Sequence, residues 1–546
     1  MIKKLRLIIL TLVFCNCVAL AQVVDPQNVL IQNVYLSDGD ADTEAVLVNI
    51  LILDNKLEIV TQDPIAIEDE SIAVDARNGT LLGNLVVGET PSFIILNQDP
   101  RENFEILLDT DFFTIFAVHQ GRLFRNNLFA SAEEEERVET VRSGWKAYTP
   151  PPMALPMSYL DNTKFNKWDT EYVSGIVLAA AVLDRMNWRS QDEGSKQQLE
   201  QNLNDFDGGE IRGFRIGAVG TFNFEKPWVY TIFGATNAFD KGFEVERQDS
   251  FTFFDYRLDI PVFENMNLSV GKQKEPISME RIMSMVQLPM QERSSVSDAF
   301  LPSRNFGVVL SGTGENQRWT WAGGVFNDWI DTGTDIGQSA TQVVGRMTWL
   351  PFMTEDESNL FHLGLGLRQS NGKEGVQFLT EPEFNKSPIF VDTGPLDVND
   401  GFQVNLEASW RKGPYWVHGE YVSTDIDSPS NGDLDFSGYH VTGSWVLSGE
   451  MREYNKKSGI MGPIRVARDV YHGGWGAWEL GVRYSSLDLT DGLVDGGEMD
   501  ILSVGLNWWL SPVFNVNLNY RFVDNELGGI NGASSGIMTR VMVVLE

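Results

Sequence analysis

From about Leu155 to its last residue, this chain repeats one pattern, in which apolar and polar side chains alternate along segments of roughly ten residues. The alternation is clearest over 402–411, 478–485 and 514–522. Because successive side chains of a β-strand point to opposite faces, each segment would have one apolar and one polar face. The pattern favours a transmembrane β-barrel, in which the apolar face contacts lipid and the polar face contacts water.

A soluble antiparallel sandwich also has alternating strands, and the tryptophans separate the two interpretations. In a sandwich the apolar faces pack against each other, whereas a membrane barrel places amphipathic rings at both interfaces. Eight tryptophans lie near the ends of the alternating segments: Trp228, Trp319, Trp349, Trp410, Trp416, Trp475, Trp508 and Trp509. This placement favours the membrane barrel.

The first residues have the features of a secretory signal peptide. Basic residues precede an apolar stretch from Leu7 to Leu20, and the small residues Ala19 and Ala21 suit a cleavage site. We therefore expect residues 1–21 to be removed. Both cysteines of the chain lie in this peptide, so we expect a mature protein without disulfides or a cysteine metal site.

The expected fold class is all-β, with a sixteen-stranded antiparallel barrel over 158–546. An even strand number places both ends of the barrel in the periplasm, and sixteen strands are enough to enclose an aqueous channel. Long polar connections are expected at 186–208, 274–303 and 370–400, and the segment 449–474 is long although it belongs to the side of the short turns. The strands are predicted near 168–184, 209–224, 228–236, 251–260, 266–273, 304–313, 318–326, 339–349, 360–369, 401–411, 415–424, 436–448, 475–487, 498–510, 514–522 and 536–545.

Several sequence blocks resemble the phosphate-selective porin O and P family. The blocks are VGKQKEPISMER at 270–281, QERSSVSDAFLPSRNFGVVLSG at 291–312, SWVLSGEMREYN at 444–455 and GAWELGVRYSSLDLTDG at 476–492. The resemblance implies a homotrimeric porin in the outer membrane of a Gram-negative-type cell, surrounded by outer-membrane lipid and passing small hydrophilic solutes. It also implies that the third long loop, 274–303, folds inward and narrows the channel.

The net charge of the chain does not by itself indicate an anionic solute. The sequence has 76 acidic and 42 basic residues, and loss of three signal-peptide bases changes the formal net charge from −34 to −37. Acidic residues on long loops would face solvent and favour solubility. The selectivity of a pore depends instead on the few charges at its constriction.

Eight basic residues are the candidate solute-binding residues. Arginine and lysine side chains that face the lumen would attract anions such as phosphate, because arginine offers two hydrogen bonds in one plane. Alternatively these bases pair with neighbouring acids, since Arg257 lies between Asp255 and Asp259, and such pairs would anchor the loop instead. A general or cation-preferring porin is therefore an alternative function for this chain. The candidates are Lys272, Lys274, Arg281, Arg293 and Arg304 in the inward loop and its flanks, and Arg257, Arg483 and Arg521 on predicted lumen faces.

Residues 22–127 predict a separate small β-domain, because short β-type runs are broken there by Asp-Gly, Asn-Gly and Pro. The segment resembles the composite β-sandwich domain of amidohydrolases, whose catalytic barrel would be inserted near Gly79 to Gly83. The family's His-x-His motif is missing and His119 is the only histidine of the segment. The resemblance therefore implies a β-sandwich without a catalytic centre, in which His119 is structural.

A linker over 128–157 joins the two units. It contains a predicted acidic helix at Ala130 to Val141 and a proline-rich stretch, and proline makes a chain extended and stiff. We expect the linker to hold the small domain in the periplasm, where it could bind a partner, cover the periplasmic mouth of the barrel or tether the protein to the cell wall, and the sequence does not choose among these roles.

The remaining classes of function are less well supported by the sequence. No nucleophile elbow, phosphate loop or HExxH motif is present, and the later histidines, His362, His418, His440 and His472, are scattered along the chain. We therefore expect no catalysis, no cofactor, no metal and no nucleic-acid partner. A structural anchor or adhesin that displays the periplasmic domain is the alternative to a porin, and conductance would separate the two.

Overall fold

The computed structural model describes residues 28–36, 45–65, 72–96, 99, 114–119 and 121–126, and residues 166–545 except 237–250, 264, 315, 328–338, 355, 374, 468 and 471–473. The predicted signal peptide, the acidic helix and the linker lie outside these residues. None of the helices in the described part of the chain is long and apolar enough to cross a membrane.

The N-terminal unit is one mixed sheet of seven strands in the order β3-β2-β1-β4-β5-β6-β7. The strands β1 and β4 are parallel and the other neighbours are antiparallel. The strands are β1 (Val29–Leu36), β2 (Val46–Leu53), β3 (Lys56–Thr61), β4 (Ile72–Asn84), β5 (Ser92–Leu96), β6 (Thr114–His119) and β7 (Arg122–Asn126).

This sheet folds over on itself. Leu57 exchanges backbone hydrogen bonds with Gly88 and Glu89, which follow the central strand β4. Apolar side chains from both halves of the sheet, such as Ile50 on β2 and Phe116 on β6, are buried in one core. A single curved sheet therefore supplies both layers of the small β-domain. The structure does not describe the side chain of His119.

The C-terminal unit is a closed antiparallel barrel of sixteen strands, as predicted. Each strand pairs with the next along the chain, and the last strand closes the barrel on the first. A short strand, β8 (Lys167–Asp169), adds to the first barrel strand. The barrel strands are β9 (Val173–Gln191), β10 (Gly208–Phe222), β11 (Trp228–Ala235), β12 (Thr252–Phe263), β13 (Met266–Gln273), β14 (Asn305–Thr313), β15 (Trp319–Asn327), β16 (Thr341–Met353), β17 (Asn359–Ser370), β20 (Asp400–Lys412), β21 (Tyr415–Ser428), β22 (Gly432–Val446), β25 (Ala477–Asp491), β26 (Val494–Trp509), β27 (Phe514–Leu527) and β28 (Ile530–Leu545), and four short strands inside the loops are β18 (Leu379–Thr380), β19 (Val391–Asp392), β23 (Arg452–Asn455) and β24 (Ile460–Ile464).

The two faces of the barrel wall differ as the alternation predicts. Large apolar side chains such as Leu183 and Val343 are 52% and 57% exposed on the outer face. Near the short turns, aromatic rings stack between neighbouring strands at centroid distances of 5.0 Å for Trp319 and Trp349 and 4.9 Å for Trp478 and Trp508. Such paired rings are typical of a membrane interface.

Two of the tryptophans predicted for the interface lie inside the barrel instead. Trp416 is 2% exposed and Trp509 is 7% exposed. Each follows an aromatic residue on its strand, Tyr415 or Trp508, that faces outward. Because neighbouring residues of a strand point to opposite faces, only one of each aromatic pair can contact lipid.

Candidate functional site inside the barrel

Three loop segments fold into the barrel, and their contacts with the wall form the candidate site. The first, which we call the inward loop, is 274–304 and includes two short helices, Met279–Ile282 and Ser295–Phe300. The second is 371–399, and the third is the hairpin of β23 and β24, which lies in the long segment on the side of the short turns. The family resemblance implied only the first of these.

Serine caps fix the local structure of the inward loop. The hydroxyl of Ser278 accepts a hydrogen bond from the Arg281 amide at 3.0 Å, and that of Ser294 accepts one from the Ser297 amide at 3.2 Å. A serine at this position satisfies an amide that a helix start leaves without a partner. The loop also approaches the wall closely, since a Cβ on Gly366 would lie 2.0 Å from the carbonyl oxygen of Ile277.

Glu292 attaches one side of the inward loop to the wall. Its carboxylate accepts hydrogen bonds from Nε and Nη2 of Arg212 at 2.8 and 3.0 Å, and it also pairs with Arg540. Arg540 in turn donates two hydrogen bonds to Asp184 at 2.7 and 2.6 Å. All four side chains are buried, so each charge is compensated by a partner and not by bulk water.

Glu280 attaches the other side of the loop. Its carboxylate accepts hydrogen bonds from the hydroxyls of Ser294 at 2.7 Å and Ser297 at 2.5 Å, and it pairs with Arg483 at 3.3 Å. Burial alone would raise the pKa of Glu280, but the nearby His440 and Arg483 and the hydrogen bonds from the two serine hydroxyls lower it well below its ordinary value.

The second segment contributes Glu383, which lies among donors from several elements. Its carboxylate accepts hydrogen bonds from the hydroxyls of Ser485 at 2.7 Å and Ser503 at 3.2 Å and from the Ser295 amide at 3.1 Å. It also pairs with Arg483, and it lies 3.7 Å from Nε of Arg521. One buried carboxylate therefore faces two guanidinium groups, two hydroxyls and one amide.

The hairpin is held by different contacts. Arg452 on β23 donates to Glu479 of the wall at 2.7 and 2.8 Å. Arg346 of the wall donates to the carbonyl oxygens of Ser458 and Gly459 at 2.9 and 2.8 Å and is paired with Glu407. The hairpin thus offers one buried cation and its own carbonyls.

The inward loop and the hairpin meet inside the barrel. Met283 and Leu288 of the loop belong to one buried apolar cluster with Ile460 and Met461 of the hairpin. Arg452 also donates to the carbonyl oxygen of Gln287 at 2.6 Å. Segments that enter from opposite ends of the barrel are therefore in direct contact.

The structure separates the eight candidate bases into three groups. Lys272 lies on the outward face of β13, in alternation with the buried Gln273, so it does not face the lumen. Lys274, Arg281 and Arg293 donate to carbonyl oxygens of the inward loop itself. The other four are on the inner face: Arg257 paired with Asp259, Arg304 paired with Asp255, and Arg483 and Arg521 close to Glu383.

Sequence reasoning missed seven interior arginines, namely Arg212, Arg215, Arg346, Arg368, Arg411, Arg452 and Arg540. Six of them are on barrel strands, and the alternation that selected Arg483 and Arg521 could have found them too. For example, Arg540 lies between the outward-facing Val541 and Thr539 of β28. Arg452 had no such signal, because nothing in the sequence shows that its loop enters the barrel.

The interior of the barrel is much less acidic than the chain. Among the described residues from 166 to 545, fourteen arginine and lysine side chains and thirteen carboxylates are buried. The whole sequence has 76 acidic and 42 basic residues. The acidic excess therefore lies mostly outside the interior, where solvent screens it.

Three interior side chains form a group that the sequence did not reveal. His418, Glu420 and His440 are buried, and their potential metal-ligating atoms all lie within 4.8 Å of one another. The histidines are scattered along the chain but two of them meet in space, because β21 and β22 are neighbours. This group therefore bears on the expectation that the chain has no metal site.

Comparison with known proteins identifies the family. Residues 184–531 match the model of the family described as phosphate-selective porin O and P. The chain belongs to this family. A protein of Caulobacter vibrioides, described as uncharacterized, is 26% identical over 272 residues, which cover 47% of this chain and 54% of that protein. The chain thus matches about half the length of this curated relative.

Solved outer-membrane proteins also align with this porin. The anion-selective porin from Comamonas acidovorans is 13% identical, with a TM-score of 0.43 over 68% of this chain and 99% of that one. OmpT of Vibrio cholerae is 9% identical, with a TM-score of 0.41 over 69% and 99%. The channel DcaP of Acinetobacter baumannii is 8% identical, with a TM-score of 0.42 over 69% and 99%.

Proposed function

We propose that this porin is a passive outer-membrane channel for small hydrophilic solutes and that it prefers anions. Membership of the porin family supports the channel. The observation that supports the preference for anions is the set of hydrogen-bond donors around Glu383. Two guanidinium groups, two hydroxyls and one backbone amide converge on its carboxylate, and these are the donors that bind a free oxyanion such as phosphate.

Arg521 retains donors that could serve a solute. Its Nη2 donates to Asn519 at 3.2 Å, while its Nε and Nη1 have no hydrogen-bond partner among the described residues. The Nε of Arg483 and the Nδ2 of Asn519 likewise have none among these residues. Because the side chain of Arg521 is 0% exposed beneath Glu383 and Phe384, an anion would reach it by replacing the Glu383 carboxylate.

Planar-bilayer recording tests the proposal. We expect the mature protein to conduct with a reversal potential in a KCl gradient that indicates anion preference. Glu383→Gln should increase this preference, because it frees the two arginines from a negative charge, and Arg521→Gln should decrease it. Glu193→Gln, in an exposed pair with Lys196, is the matched control and should change neither value. Cation preference in the unaltered channel would contradict the proposal and indicate a cation-preferring porin.

A structural anchor or adhesin is the second candidate, and the contact between the inward loop and the hairpin favours it. If this contact closes the barrel permanently, the protein would not conduct, and neither Glu383→Gln nor Arg521→Gln would change that. Stepwise single-channel currents from the purified protein would exclude this candidate.

We further propose that the porin is a homotrimer and that its N-terminal domain lies in the periplasm and binds a partner there. In support of the periplasmic position, Ala467 from the long segment on the side of the short turns packs against the apolar core of the domain. Chemical crosslinking in intact cells tests the trimer. Protease added to intact cells should leave the domain uncleaved, and protease added after osmotic opening of the outer membrane should cleave it.

A further inference from the structure

His418, Glu420 and His440 lie together on the inner face of two neighbouring strands. Glu420 on β21 is directly opposite His440 on β22, and His418 is two residues before Glu420 on the same face. The ring centroids of the two histidines are 5.4 Å apart. Each of the three residues is 3% exposed or less, so their polar atoms depend on local partners and not on bulk water for hydrogen bonds.

Hydrogen bonds satisfy only some of the polar atoms of these three side chains. Nε2 of His418 lies 3.0 Å from Oε1 of Glu420, which also accepts the Glu280 amide at 2.7 Å. In contrast, both ring nitrogens of His440, Nδ1 of His418 and Oε2 of Glu420 have no hydrogen-bond partner among the described residues. A buried imidazole with no hydrogen bond is costly, and a bound cation would satisfy it.

We propose that His418, Glu420 and His440 bind one divalent transition-metal ion of the zinc class. Two imidazoles and a carboxylate are the ligands of many three-residue zinc sites, whereas calcium and magnesium prefer oxygen ligands only. Zinc–nitrogen bonds of about 2.0–2.1 Å put ligand atoms roughly 3.4 Å apart, so the present spread of up to 4.8 Å must contract. Rotation of the His440 ring provides this contraction without loss of a hydrogen bond.

Glu280 of the inward loop is in position to supply a fourth ligand. Its Oε2 is 3.6 Å from Nε2 of His440, while its Oε1 faces Arg483 at 3.3 Å. The carboxylates of Glu280 and Glu420 offset the charge of the ion, and Arg483 is shared with Glu383. The ion would connect the inward loop to the wall, independently of whether anions pass through the channel.

The test is a titration of the full mature chain, without a histidine tag, in detergent after treatment with a chelator. We expect one zinc ion per chain by calorimetry, and cobalt in its place should give the intense visible absorption of a four-coordinate site with nitrogen ligands. Millimolar calcium or magnesium should not displace the zinc. His440→Ala and Glu420→Gln should each weaken binding about tenfold or more.

His362→Gln is the matched control. His362 is also buried on the inner face, but its two nitrogens already contact the Tyr454 hydroxyl at 2.7 Å and Glu407 at 3.2 Å, so this variant should bind zinc as the unaltered chain does. Zinc binding that is equal in His440→Ala and the unaltered chain would overturn the proposal. If His440→Ala does not fold, the cobalt spectrum of the unaltered chain decides, since absence of the four-coordinate absorption would also overturn it.

Discussion

The inward loop and the hairpin occupy the same barrel, but their buried ion pairs with the wall differ. Most buried ion pairs between the loop and the wall use carboxylates of the loop, with Arg304 as the exception, whereas the buried pair of the hairpin uses an arginine. The loop offers carboxylates to wall arginines, as Glu275 does to Arg368 and Glu292 to Arg212. The hairpin offers a cation, Arg452, to a wall carboxylate. The wall is therefore not uniformly basic, and each segment is matched to the charges of the strands it contacts.

The apolar cluster between the two segments contains no charge at all. Leu288 and Met461 pack there with Leu350 and Leu360 of the wall. The ion pairs therefore position each segment on the wall, and the apolar contact, together with the hydrogen bond from Arg452 to the Gln287 carbonyl, joins the two segments. Variants that remove one kind of contact should distinguish the loop from the hairpin.

The largest effect is expected for Glu292→Ala. This change removes the carboxylate that pairs with the buried guanidinium groups of both Arg212 and Arg540, and Asp184 remains as the partner of Arg540. Breaking a buried pair costs about 3–5 kcal/mol, and we expect a decrease in the free energy of unfolding at the upper end of this range. Urea titration in phospholipid vesicles measures it.

The same variant should also release the inward loop and raise the single-channel conductance. Glu193→Ala, which removes an exposed carboxylate, should change neither the stability nor the conductance. If Glu292→Ala were as stable as this control, the loop would not depend on its buried ion pairs.

Arg452→Ala should release the hairpin and not the loop. It leaves Glu479 buried with Asn507 as its remaining described hydrogen-bond donor, at 3.1 Å. The expected loss is in the lower part of the range of about 3–5 kcal/mol, because one buried ion pair is broken and not two. Limited proteolysis from the periplasmic side should cut the hairpin in this variant, and cleavage of the inward loop instead would contradict the assignment.

Met461→Ala should weaken the contact between the two segments and leave both ion-pair sets intact. Truncation of a buried methionine costs about 2–3 kcal/mol through lost burial and a cavity. We expect larger fluctuations of the single-channel current, since the loop and the hairpin would then move separately. Current noise identical to that of the unaltered channel would show that the apolar contact does not restrain either segment.

The smallest effect is expected for Lys456→Gln. Lys456 pairs with Glu357 at 2.6 Å at the edge of the hairpin, where both side chains are partly exposed. Partly exposed ion pairs contribute about 0–1 kcal/mol to the free energy of unfolding. Urea titration should therefore place this variant within about 1 kcal/mol of the unaltered chain, and a loss as large as that of Arg452→Ala would mean that solvent does not reach this pair.

Much of the barrel was predictable because the signal is local. Each run of alternating residues, such as Phe514 to Phe522, shows both the strand and which of its faces contacts lipid. The inner positions of Arg257, Arg483 and Arg521 follow from the same alternation. The alternation fails where two aromatic residues are adjacent, as at Tyr415 and Trp416, since the pattern does not say which of them faces lipid.

The candidate site was predicted less well, because its contacts join distant parts of the chain. Arg540 pairs with Asp184, 356 residues away, and Arg346 pairs with Glu407 on a strand that is not its neighbour. The sequence predicted that 449–474 is an unusually long connection, but it did not predict that this connection enters the barrel. A run of loop residues carries no periodic signal for its final position.

The strand number, the outer and inner faces and the order of the strands follow from the amino-acid sequence alone, because a period of two and short turns between neighbours are local properties. Which carboxylate meets which arginine, the contact between the hairpin and the loop, and the meeting of His418, Glu420 and His440 depend on the tertiary structure. These contacts depend on closure of the barrel, which brings side chains from opposite walls and opposite ends into one buried space.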